Sequence, residues 1–321
     1  MTKSPLVSVC IPAYNAESYI RDSIDCLLRQ SYDNIEIIIV NDGSTDGTLK
    51  EVRKFNSYKI NVISVPNKGA ASARNIAYQY SKGMFVIFFD ADDLLSEDFI
   101  KNQLIVLDGD EECVAISSWG RFYKSIEKDF KLDNDLTSQP DTLQSWIIRN
   151  WTNNHHNTPP GRLLISRKIL DKMDGWDESL SLNDDFEFFT RVAFNCKAIK
   201  PNYGSIYYYR SGINGLSSKK NEKAYKSLFF SMKRSFDLCL KAFPTNELVK
   251  QACANLWQSF IYESYPLLKL ERDYSETEIA RLGGSKLKIA AGGLTKYLNI
   301  IFGWKRVKLF KKILTYKSFR P

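Results

Sequence analysis

Strand-like and helix-like segments alternate four times in the first hundred residues, and this alternation limits the folds open to the chain. Apolar runs rich in β-branched residues predict strands at 6–11, 35–40, 60–65 and 84–89. Between them, helical spacing at 16–30 and an Ala-rich run at 69–82 predict helices, and a short helix is expected to end near Phe55. Repeated strand–helix–strand units predict a Rossmann-like α/β fold, with a mostly parallel sheet and helices on both faces.

A polar loop follows each predicted strand. The loops read PAYN, NDGSTD, PNKG and DADD in chain order. In a sheet of this kind the carboxyl ends of parallel strands share one edge, and ligands bind there. The sequence contains neither a GxGxxG turn after the first strand nor a GxxxxGK[ST] motif, which argues against dinucleotide and P-loop sites.

Three carboxylates crowd the fourth loop, at Asp90, Asp92 and Asp93. Such a cluster needs a cation or nearby donors, because the charges repel one another. Alternate strand residues share a face, so Asp90 and Asp92 are expected to point the same way. Mg²⁺ and Mn²⁺ take one or two carboxylates together with substrate phosphates, which predicts a divalent metal here. The alternative is a helix cap or a solvated turn, and the shared edge with three other polar loops favours the metal.

The net charge of +8 is concentrated at the C-terminal end. From Arg281 onward there are eleven Lys and Arg but no Asp or Glu, which leaves 34 basic and 37 acidic residues in the rest. This distribution gives no support to nucleic-acid binding by the main domain. The chain has no run of 18 uncharged apolar residues, and its six cysteines form no CxxC pair, so we expect a cytoplasmic protein without a membrane span.

The C-terminal part is predicted to be helical, with long segments near 222–243 and 245–270 and a basic tail at 286–321. One face of the tail carries cations and another carries apolar residues: Lys305, Lys308 and Lys312, and Ile300, Trp304, Val307 and Leu314. Basic amphipathic helices with an aromatic residue bind anionic membrane surfaces. The alternative is a helix packed on the main domain with a solvated charged face.

Taken together, the motifs resemble family 2 glycosyltransferases with the GT-A fold. The stretches VSVCIPAYNAESYIRDSIDCLLRQSYDNIEIIIVNDGSTDGT, NKGAASARN and FVIFFDADD follow one another in the family's order, and GWDESLSLNDDFEFFTR resembles its acceptor-side segment. The resemblance covers roughly residues 5 to 215. It implies a catalytic domain at 1–215, with a donor half at about 1–110 and an acceptor half at about 111–215, and leaves 216–321 as a C-terminal helical region.

The resemblance also implies a nucleotide-sugar pocket built from the four loops: Pro12, Tyr14, Glu17, Asp42, Lys68, Gly69, Arg74, Asp90, Ala91 and Asp92. The first three would line the base and ribose pocket, and Asp42 would bond the base edge. Lys68, Gly69 and Arg74 would shape the pocket floor near the ribose and phosphates. Asp90 would hold the ribose or the sugar, and Asp92 would bind Mn²⁺ or Mg²⁺.

On the acceptor side, the resemblance makes Asp185 the catalytic base. Family members carry Glu-Asp at this helix start, and Asp184 stands here in place of the Glu, so its role is open. Trp176 could stack on a sugar or be buried. Arg210 lies in YYYRSGINGLSS, which resembles the family segment that closes over the diphosphate, and it could contact phosphate or be an ordinary surface arginine.

The implied function is inverting, metal-dependent transfer of a sugar from a nucleotide-sugar to a glycan or lipid-linked acceptor in surface polysaccharide synthesis. UDP is the expected nucleotide, and the absence of Gln-x-x-Arg-Trp favours single additions over processive synthesis. With its basic tail, the enzyme is expected at the inner face of the cell membrane. The alternatives are a binding protein that keeps the fold without turnover and a nucleotidyltransferase that shares the sheet.

Overall fold

The computed structural model describes residues 4–133, 135–136, 138–154, 158–213, 220–288 and 293–317. The chain forms two compact units, Met1–Trp146 with Asn157–Lys219 and Ile147–His156 with Lys220–Pro321. The segment 147–156 therefore belongs with the C-terminal helices, although the sequence-based boundary assigns it to the catalytic domain. Residues 214–219 of the predicted closing segment lie outside the described residues.

The described part of the first unit contains one mixed sheet. Its strands are β1 (Val7–Ala13), β2 (Ile35–Asp42), β3 (Ile60–Val65), β4 (Phe85–Phe88), β5 (Leu94–Leu95), β6 (Cys113–Phe122), β7 (Lys131–Asp133), β8 (Leu163–Ser166) and β9 (Ala198–Arg210). They lie in the order β3-β2-β1-β4-β8-β6-β9-β5, with β7 beside β6. The apolar strand β2 is buried along most of its length, and it belongs to a core that also includes β1 and β4.

The parallel half of the sheet confirms the sequence-based expectation. β1 pairs in parallel with β2 and β4, and β2 pairs in parallel with β3. The later strands differ, because β8 joins β4 and β6 in antiparallel orientation, and β5 and β7 are also antiparallel to their partners. β9 is parallel to β6, with a register shift between Ser117 and Ser118. The four predicted loops thus share one edge, while the whole sheet is less parallel than expected.

Eight helices connect the described strands of this unit: α1 (Ile20–Leu28), α2 (Thr48–Val52), α3 (Ala70–Tyr80), α4 (Phe99–Leu107), α5 (Ile126–Asp129), α6 (Leu143–Trp146), α7 (Arg167–Leu170) and α8 (Asp184–Asn195). Asn183 occupies the position before α8, where asparagine often caps a helix. Its φ of 64° is left-handed, however, and its side chain makes no capping hydrogen bond. Asparagine tolerates this backbone conformation better than most residues, which is a sufficient reason for its presence.

The second unit is helical in the part that the structure describes. It comprises a π-helical turn (Ile147–Trp151), α9 (Glu222–Ala242), α10 (Glu247–Ser264), α11 (Lys269–Arg281), α12 (Gly293–Phe302) and α13 (Trp304–Lys317). The predicted helix at 245–270 is split, because Pro266 cannot continue a helix and restricts the residue before it. Trp257 is buried among Phe229, Phe236 and Phe260 and forms the aromatic core of this unit. None of the helices described is both long and apolar enough to cross a bilayer.

The tail presents a different apolar surface from the predicted one. Trp304 packs on Tyr262 and Tyr265, with ring centroids 5.3 and 5.4 Å apart, and Val307 is buried. Lys308 Nζ donates to the Tyr262 carbonyl, so this cation is turned inward. Of the predicted apolar face, Ile300 is exposed, and it is joined by other exposed apolar residues. The six are here named the tail apolar surface: Tyr297, Ile300, Ile301, Phe302, Leu309 and Phe310. The side chains of Lys312 and Leu314 lie outside those described.

Candidate active site

Asp42, at the end of β2, joins the second and third loops. It is 2% exposed, its Oδ1 accepts a hydrogen bond from the Lys68 amide at 2.8 Å, and its Oδ2 accepts one from the Gly69 amide at 2.9 Å. Gly69 has a φ of 99°, a conformation that residues with a Cβ rarely adopt, and this accounts for glycine at the turn into α3. Each carboxylate oxygen therefore already has one backbone partner, while the Lys68 side chain is exposed.

We expect Asp42→Asn to lower the free energy of unfolding by about 1–3 kcal/mol, because the new amide NH₂ would face one of these backbone N–H groups and leave it without an acceptor. Urea unfolding followed by circular dichroism measures the change. Asp33→Asn is the matched control, since the Asp33 side chain is 98% exposed and its pair with Lys59 is long, at 3.6 Å. Equal stability of the two variants would contradict the role given to Asp42.

The first and second loops are tied to each other in the same way. The Ala16 amide donates to Thr48 Oγ1 at 2.7 Å, and Glu17 Oε2 accepts from the Gly47 amide at 2.9 Å. Tyr14 is half exposed beside these bonds, and Pro12 lies in β1 opposite Val40. The structure therefore brings the predicted base and ribose residues to one edge, where Glu17 also supports the neighbouring loop.

Arg74 connects the donor side with the acceptor side. It is buried, with Nη2 2.8 Å from Asp90 Oδ1 and Nη1 3.0 Å from Asp184 Oδ2. Burial lowers its pKa, but the charges of Asp90 and Asp184 more than offset this and raise the pKa above its usual value. Its Nε is also buried and has no hydrogen-bond partner among the residues that the structure describes. Sequence reasoning found Arg74 and Asp184 separately but not the bridge, because 110 residues separate them.

Trp176 packs against the guanidinium of Arg74, which forms this bridge. The Arg74 guanidinium lies 4.4 Å from the indole centroid, and the Phe188 ring stacks on the indole at 3.9 Å with an angle of 7°. The residue is 2% exposed, so the indole offers little open surface to a sugar. Trp176 thus contacts the site through Arg74 in this structure.

The three carboxylates of the fourth loop have three different environments. β4 ends at Phe88, and Asp90 to Asp93 form a turn in which the Asp93 amide donates to the Asp90 carbonyl at 3.3 Å. The strand argument for their direction was therefore wrong, since a turn and not a strand orients them. Asp90 pairs with Arg74, and both oxygens of buried Asp93 accept hydrogen bonds, from Tyr207 and from the Arg210 amide.

Asp92 has no such neutralising partner. Among the described residues, no other residue donates a hydrogen bond to its carboxylate. Burial, followed by the charge of Asp90, raises the pKa of Asp92 to about 7. A desolvated carboxylate of this kind is stabilised as an anion by a cation. The described residues contain no group of three or more His, Cys, Asp or Glu that could hold a metal by themselves. One available carboxylate fits a Mg²⁺ or Mn²⁺ ion held mainly by substrate phosphates.

The two acidic residues that begin α8 also differ. Asp184 is neutralised by Arg74, whereas Asp185 Oδ1 accepts only the adjacent Phe186 amide, at 2.9 Å, in the described part of the chain. Burial, followed by the charge of Asp184, raises the pKa of Asp185 to about 7. Burial also raises the pKa of Asp184, and the charge of Arg74 opposes that rise. What distinguishes Asp185 is that it has a raised pKa and no ion pair in the described part of the chain, so it can accept a proton near neutral pH.

Arg210, at the end of β9, is buried and fully engaged. Its Nε donates to the Asp92 carbonyl at 2.7 Å, its guanidinium lies over the Phe122 ring at 4.6 Å, and Nη2 is 3.6 Å from Asp22. It touches the Asp90–Asp93 turn rather than standing at an open surface. Sequence reasoning missed Tyr207, because its contact with Asp93 spans 114 positions and its local signal is no more than its place in the YYYR run.

The described geometry is matched by known proteins. The model of the family described as "Glycosyl transferase family 2" matches residues 8–174, more than half of the chain. The chain is 37% identical over 220 residues to the Escherichia coli UDP-Glc:alpha-D-GlcNAc-diphosphoundecaprenol beta-1,3-glucosyltransferase WfaP, which covers 67% of this chain and 81% of that protein. It is 41% identical over 103 residues to the hyaluronan synthase of Pasteurella multocida, of whose length it spans only 11%. The chain belongs to glycosyltransferase family 2.

Solved structures agree on the fold. Residues 1–349 of Staphylococcus aureus TarS, in complex with UDP, superpose with a TM-score of 0.64 at 20% identity, covering 89% of this chain and 95% of that one. The mannosyltransferase PcManGT from Pyrobaculum calidifontis, in complex with GDP-Man and Mn²⁺, gives a TM-score of 0.57 at 18% identity, covering 99% and 84%. The chain thus has the GT-A fold, as the motifs predicted.

Proposed function

We propose that this protein transfers a single sugar from a nucleotide-sugar to a hydroxyl of a glycan or lipid-linked acceptor, with inversion, during surface polysaccharide synthesis. The first unit would carry the catalysis. The observation that carries the proposal is the contrast within each acidic cluster: Asp90 and Asp184 pair with Arg74, whereas Asp92 and Asp185 lack an ion-pair partner among the described residues.

Each of these residues has a distinct task in the proposed reaction. Asp92 would hold Mg²⁺ or Mn²⁺, and the ion would supply positive charge to the leaving diphosphate. Asp185 would take the proton of the acceptor hydroxyl as that oxygen attacks the anomeric carbon. Arg74 would keep Asp90 and Asp184 from repelling the incoming diphosphate. One base and no second carboxylate nucleophile give direct displacement, and so inversion.

The decisive experiment measures release of nucleoside diphosphate from UDP-sugars by the full chain with Mn²⁺ or Mg²⁺, with and without EDTA. Turnover that EDTA abolishes and metal restores supports the proposal. Nucleotide binding without turnover for any donor and acceptor would favour the binding protein. Release of pyrophosphate from a nucleoside triphosphate and a sugar phosphate would favour the nucleotidyltransferase.

The nucleotide is proposed to be UDP. WfaP is a UDP-Glc glucosyltransferase and TarS was solved in complex with UDP, whereas PcManGT was solved with GDP-Man. A thermal-shift screen over UDP-, GDP-, dTDP- and CMP-sugars with Mn²⁺ tests the choice, and a larger shift with GDP than with UDP would overturn it. The diphosphoundecaprenol in the name of WfaP motivates a lipid-linked acceptor.

We also propose that the second unit holds the enzyme at the cytoplasmic face of the membrane. The tail apolar surface has exposed side chains on α12, Ile300 at 73% and Ile301 at 70%, and the next helix, α13, carries six Lys and Arg in its sequence. Exposed apolar side chains among cations match an anionic membrane interface. Near an anionic leaflet each engaged Lys or Arg contributes about 1 kcal/mol. Because Lys308 is turned inward, the apolar side chains have a larger share of the proposed binding than the sequence indicated.

Replacing Ile300, Ile301 and Phe302 together with Ser is expected to lower sedimentation with anionic vesicles by roughly 10-fold or more, because burying such side chains contributes on the order of 1.5–3 kcal/mol each. The full chain, this variant and a chain ending near Gly283 are compared on anionic and neutral vesicles. Tyr58→Ser, at a 96% exposed position of the first unit, is the control. Equal sedimentation of all proteins on anionic vesicles would contradict the membrane proposal.

A further inference from the structure

We propose that Asp93, Tyr207 and Arg210 are positioning residues that fix the Asp90–Asp93 turn, so that the Asp92 carboxylate stands ready for the metal and the donor diphosphate. The inference rests on the proposed function and adds to it the groups that set the geometry of Asp92. None of the three is required to touch the substrate. They act on Asp92 through its backbone and through its neighbour in the turn.

The turn is held at successive peptide groups by side chains from distant elements. Ser23 Oγ, on α1, lies 2.9 Å from both the Ala91 and the Asp93 carbonyl oxygens, between which its single hydroxyl proton is shared. Arg210 Nε donates to the Asp92 carbonyl at 2.7 Å. Three consecutive carbonyls thus lie within hydrogen-bond distance of two buried donor groups, the Ser23 hydroxyl and Arg210 Nε, which restricts rotation of the peptides on either side of Asp92.

The Asp93 side chain completes this arrangement from β9. Its Oδ1 accepts the Arg210 amide at 2.7 Å, and its Oδ2 accepts the Tyr207 hydroxyl. Asp93 and Tyr207 are both fully buried. Burying a carboxyl and a phenol costs free energy unless every polar atom is bonded, and a turn packed with apolar side chains would avoid this cost. A set of directed bonds gives what apolar packing does not, a fixed orientation for the backbone that carries Asp92.

Arg210 belongs to this set and not to an open phosphate site. Its guanidinium lies between the Tyr19 ring, at 5.1 Å, and the Phe122 ring, at 4.6 Å. The residue is 8% exposed, and its Nε already serves the Asp92 carbonyl. The planar guanidinium can hold this position between two rings with its donors fixed, which a lysine ammonium cannot do.

The test is direct titration of the full chain with Mn²⁺ in the presence of UDP, read by electron paramagnetic resonance of free Mn²⁺. Tyr207→Phe removes one hydroxyl and keeps the ring that packs edge-on against Phe89. We expect it to weaken Mn²⁺ binding by about 10-fold or more, as loss of an outer-shell partner does at metal sites. Tyr208→Phe is the matched control, because Tyr208 is half-buried, packs on Phe130 and has no hydrogen bond to the turn among the described residues.

Arg210→Lys separates positioning from charge. It keeps the positive charge but not the guanidinium geometry, so we expect a loss of Mn²⁺ affinity similar to that of Tyr207→Phe. The affinity for UDP without metal should stay within about 2-fold of wild type in all variants. A variant whose site had unfolded would lose this affinity as well. Melting temperatures are measured alongside.

Four outcomes are distinguishable. Weaker Mn²⁺ binding in Tyr207→Phe and Arg210→Lys, with Tyr208→Phe unchanged, supports the inference. Wild-type Mn²⁺ affinity in Tyr207→Phe contradicts it while leaving the proposed function intact. The inference is also overturned, in favour of a purely structural role, if Tyr208→Phe loses as much Mn²⁺ affinity as Tyr207→Phe and the losses parallel the falls in melting temperature. Failure of the wild-type chain to bind Mn²⁺ with UDP contradicts the proposed function, and the inference with it.

Discussion

Asp185→Asn is expected to lower sugar transfer by about 100-fold or more while leaving donor binding nearly unchanged, because the lost group acts on the acceptor proton and not on the donor. Asparagine can still accept the Phe186 amide through its Oδ1, so the start of α8 should keep its shape. Steady-state kinetics with the natural acceptor, together with calorimetric UDP binding, measure the two effects separately.

The matched variant is Asp184→Asn, one residue away on the same helix turn. Asp184 is paired with Arg74 at 3.0 Å, so its loss is expected to disturb donor-side geometry rather than remove the base. If Asp185→Asn keeps most of its activity and Asp184→Asn loses it, the base has been assigned one position too far along the chain.

The pH dependence of sugar transfer provides an independent check on the role of Asp185. Because the pKa of Asp185 is raised to about 7 from its usual 3.8, the basic form is lost as the pH falls through 7, and transfer should fall with it by up to 10-fold per pH unit. The folded state binds this proton more tightly than the unfolded state does. The free energy of unfolding therefore falls as the pH rises from 3.8 to 7, and above pH 7 this loss no longer grows. Asparagine removes that loss, and Asp185→Asn should melt no lower than wild type at pH 8.

Asp92→Asn is expected to lower turnover on the order of 100-fold or more, since it removes the one carboxylate proposed to hold the metal against the developing charge. Unlike Asp185→Asn, it should weaken donor binding in the presence of Mn²⁺ and leave metal-free UDP binding unchanged. Raising the Mn²⁺ concentration should restore part of the lost turnover in Asp92→Asn and none in Asp185→Asn.

Asp90→Asn is the comparison for Asp92, because its carboxylate is already paired with Arg74 at 2.8 Å. Asp90→Asn should lower turnover, and the remaining turnover should depend little on the Mn²⁺ concentration. A strong Mn²⁺ dependence in Asp90→Asn, with none in Asp92→Asn, would mean that the metal ligand of this turn has been misassigned.

Local signals in the sequence were sufficient for the parallel half of the sheet. β2 and β3 were predicted closely because their apolar, β-branched runs are short and bounded by polar loops. The later strands were harder, since β8 and β5 have only four and two residues and gain their place from pairing with β4 and β9. Their orientation depends on distant partners, which no local pattern reports.

The candidate site follows the same division. The roles given to Asp92 and Asp185 came from motif resemblance and remain predictions, and what the structure adds is the reason these two differ from Asp90 and Asp184. Arg74 makes that difference by pairing with both neighbours across 16 and 110 positions. The predicted exposed face of the tail was wrong at Trp304 for a similar reason. Helical spacing identified an apolar face but could not tell that Trp304 packs on Tyr262 of α10.

The dependence of the Asp90–Asp93 turn on β9 has a consequence for how an active molecule comes into being. The turn leaves the ribosome more than a hundred residues before Tyr207 and Arg210, which bond to it across 114 and 118 positions. At roughly 5–20 residues per second, a nascent chain spends on the order of 5–20 seconds without the partners of the Asp93 carboxylate and of the Asp92 carbonyl. A chain released in that interval would lack the bonds that orient Asp92, and prematurely terminated products should be inert toward the cell's sugar-nucleotides. Chimaeras that exchange acceptor halves between relatives must likewise carry the β9 partners together with the turn they hold.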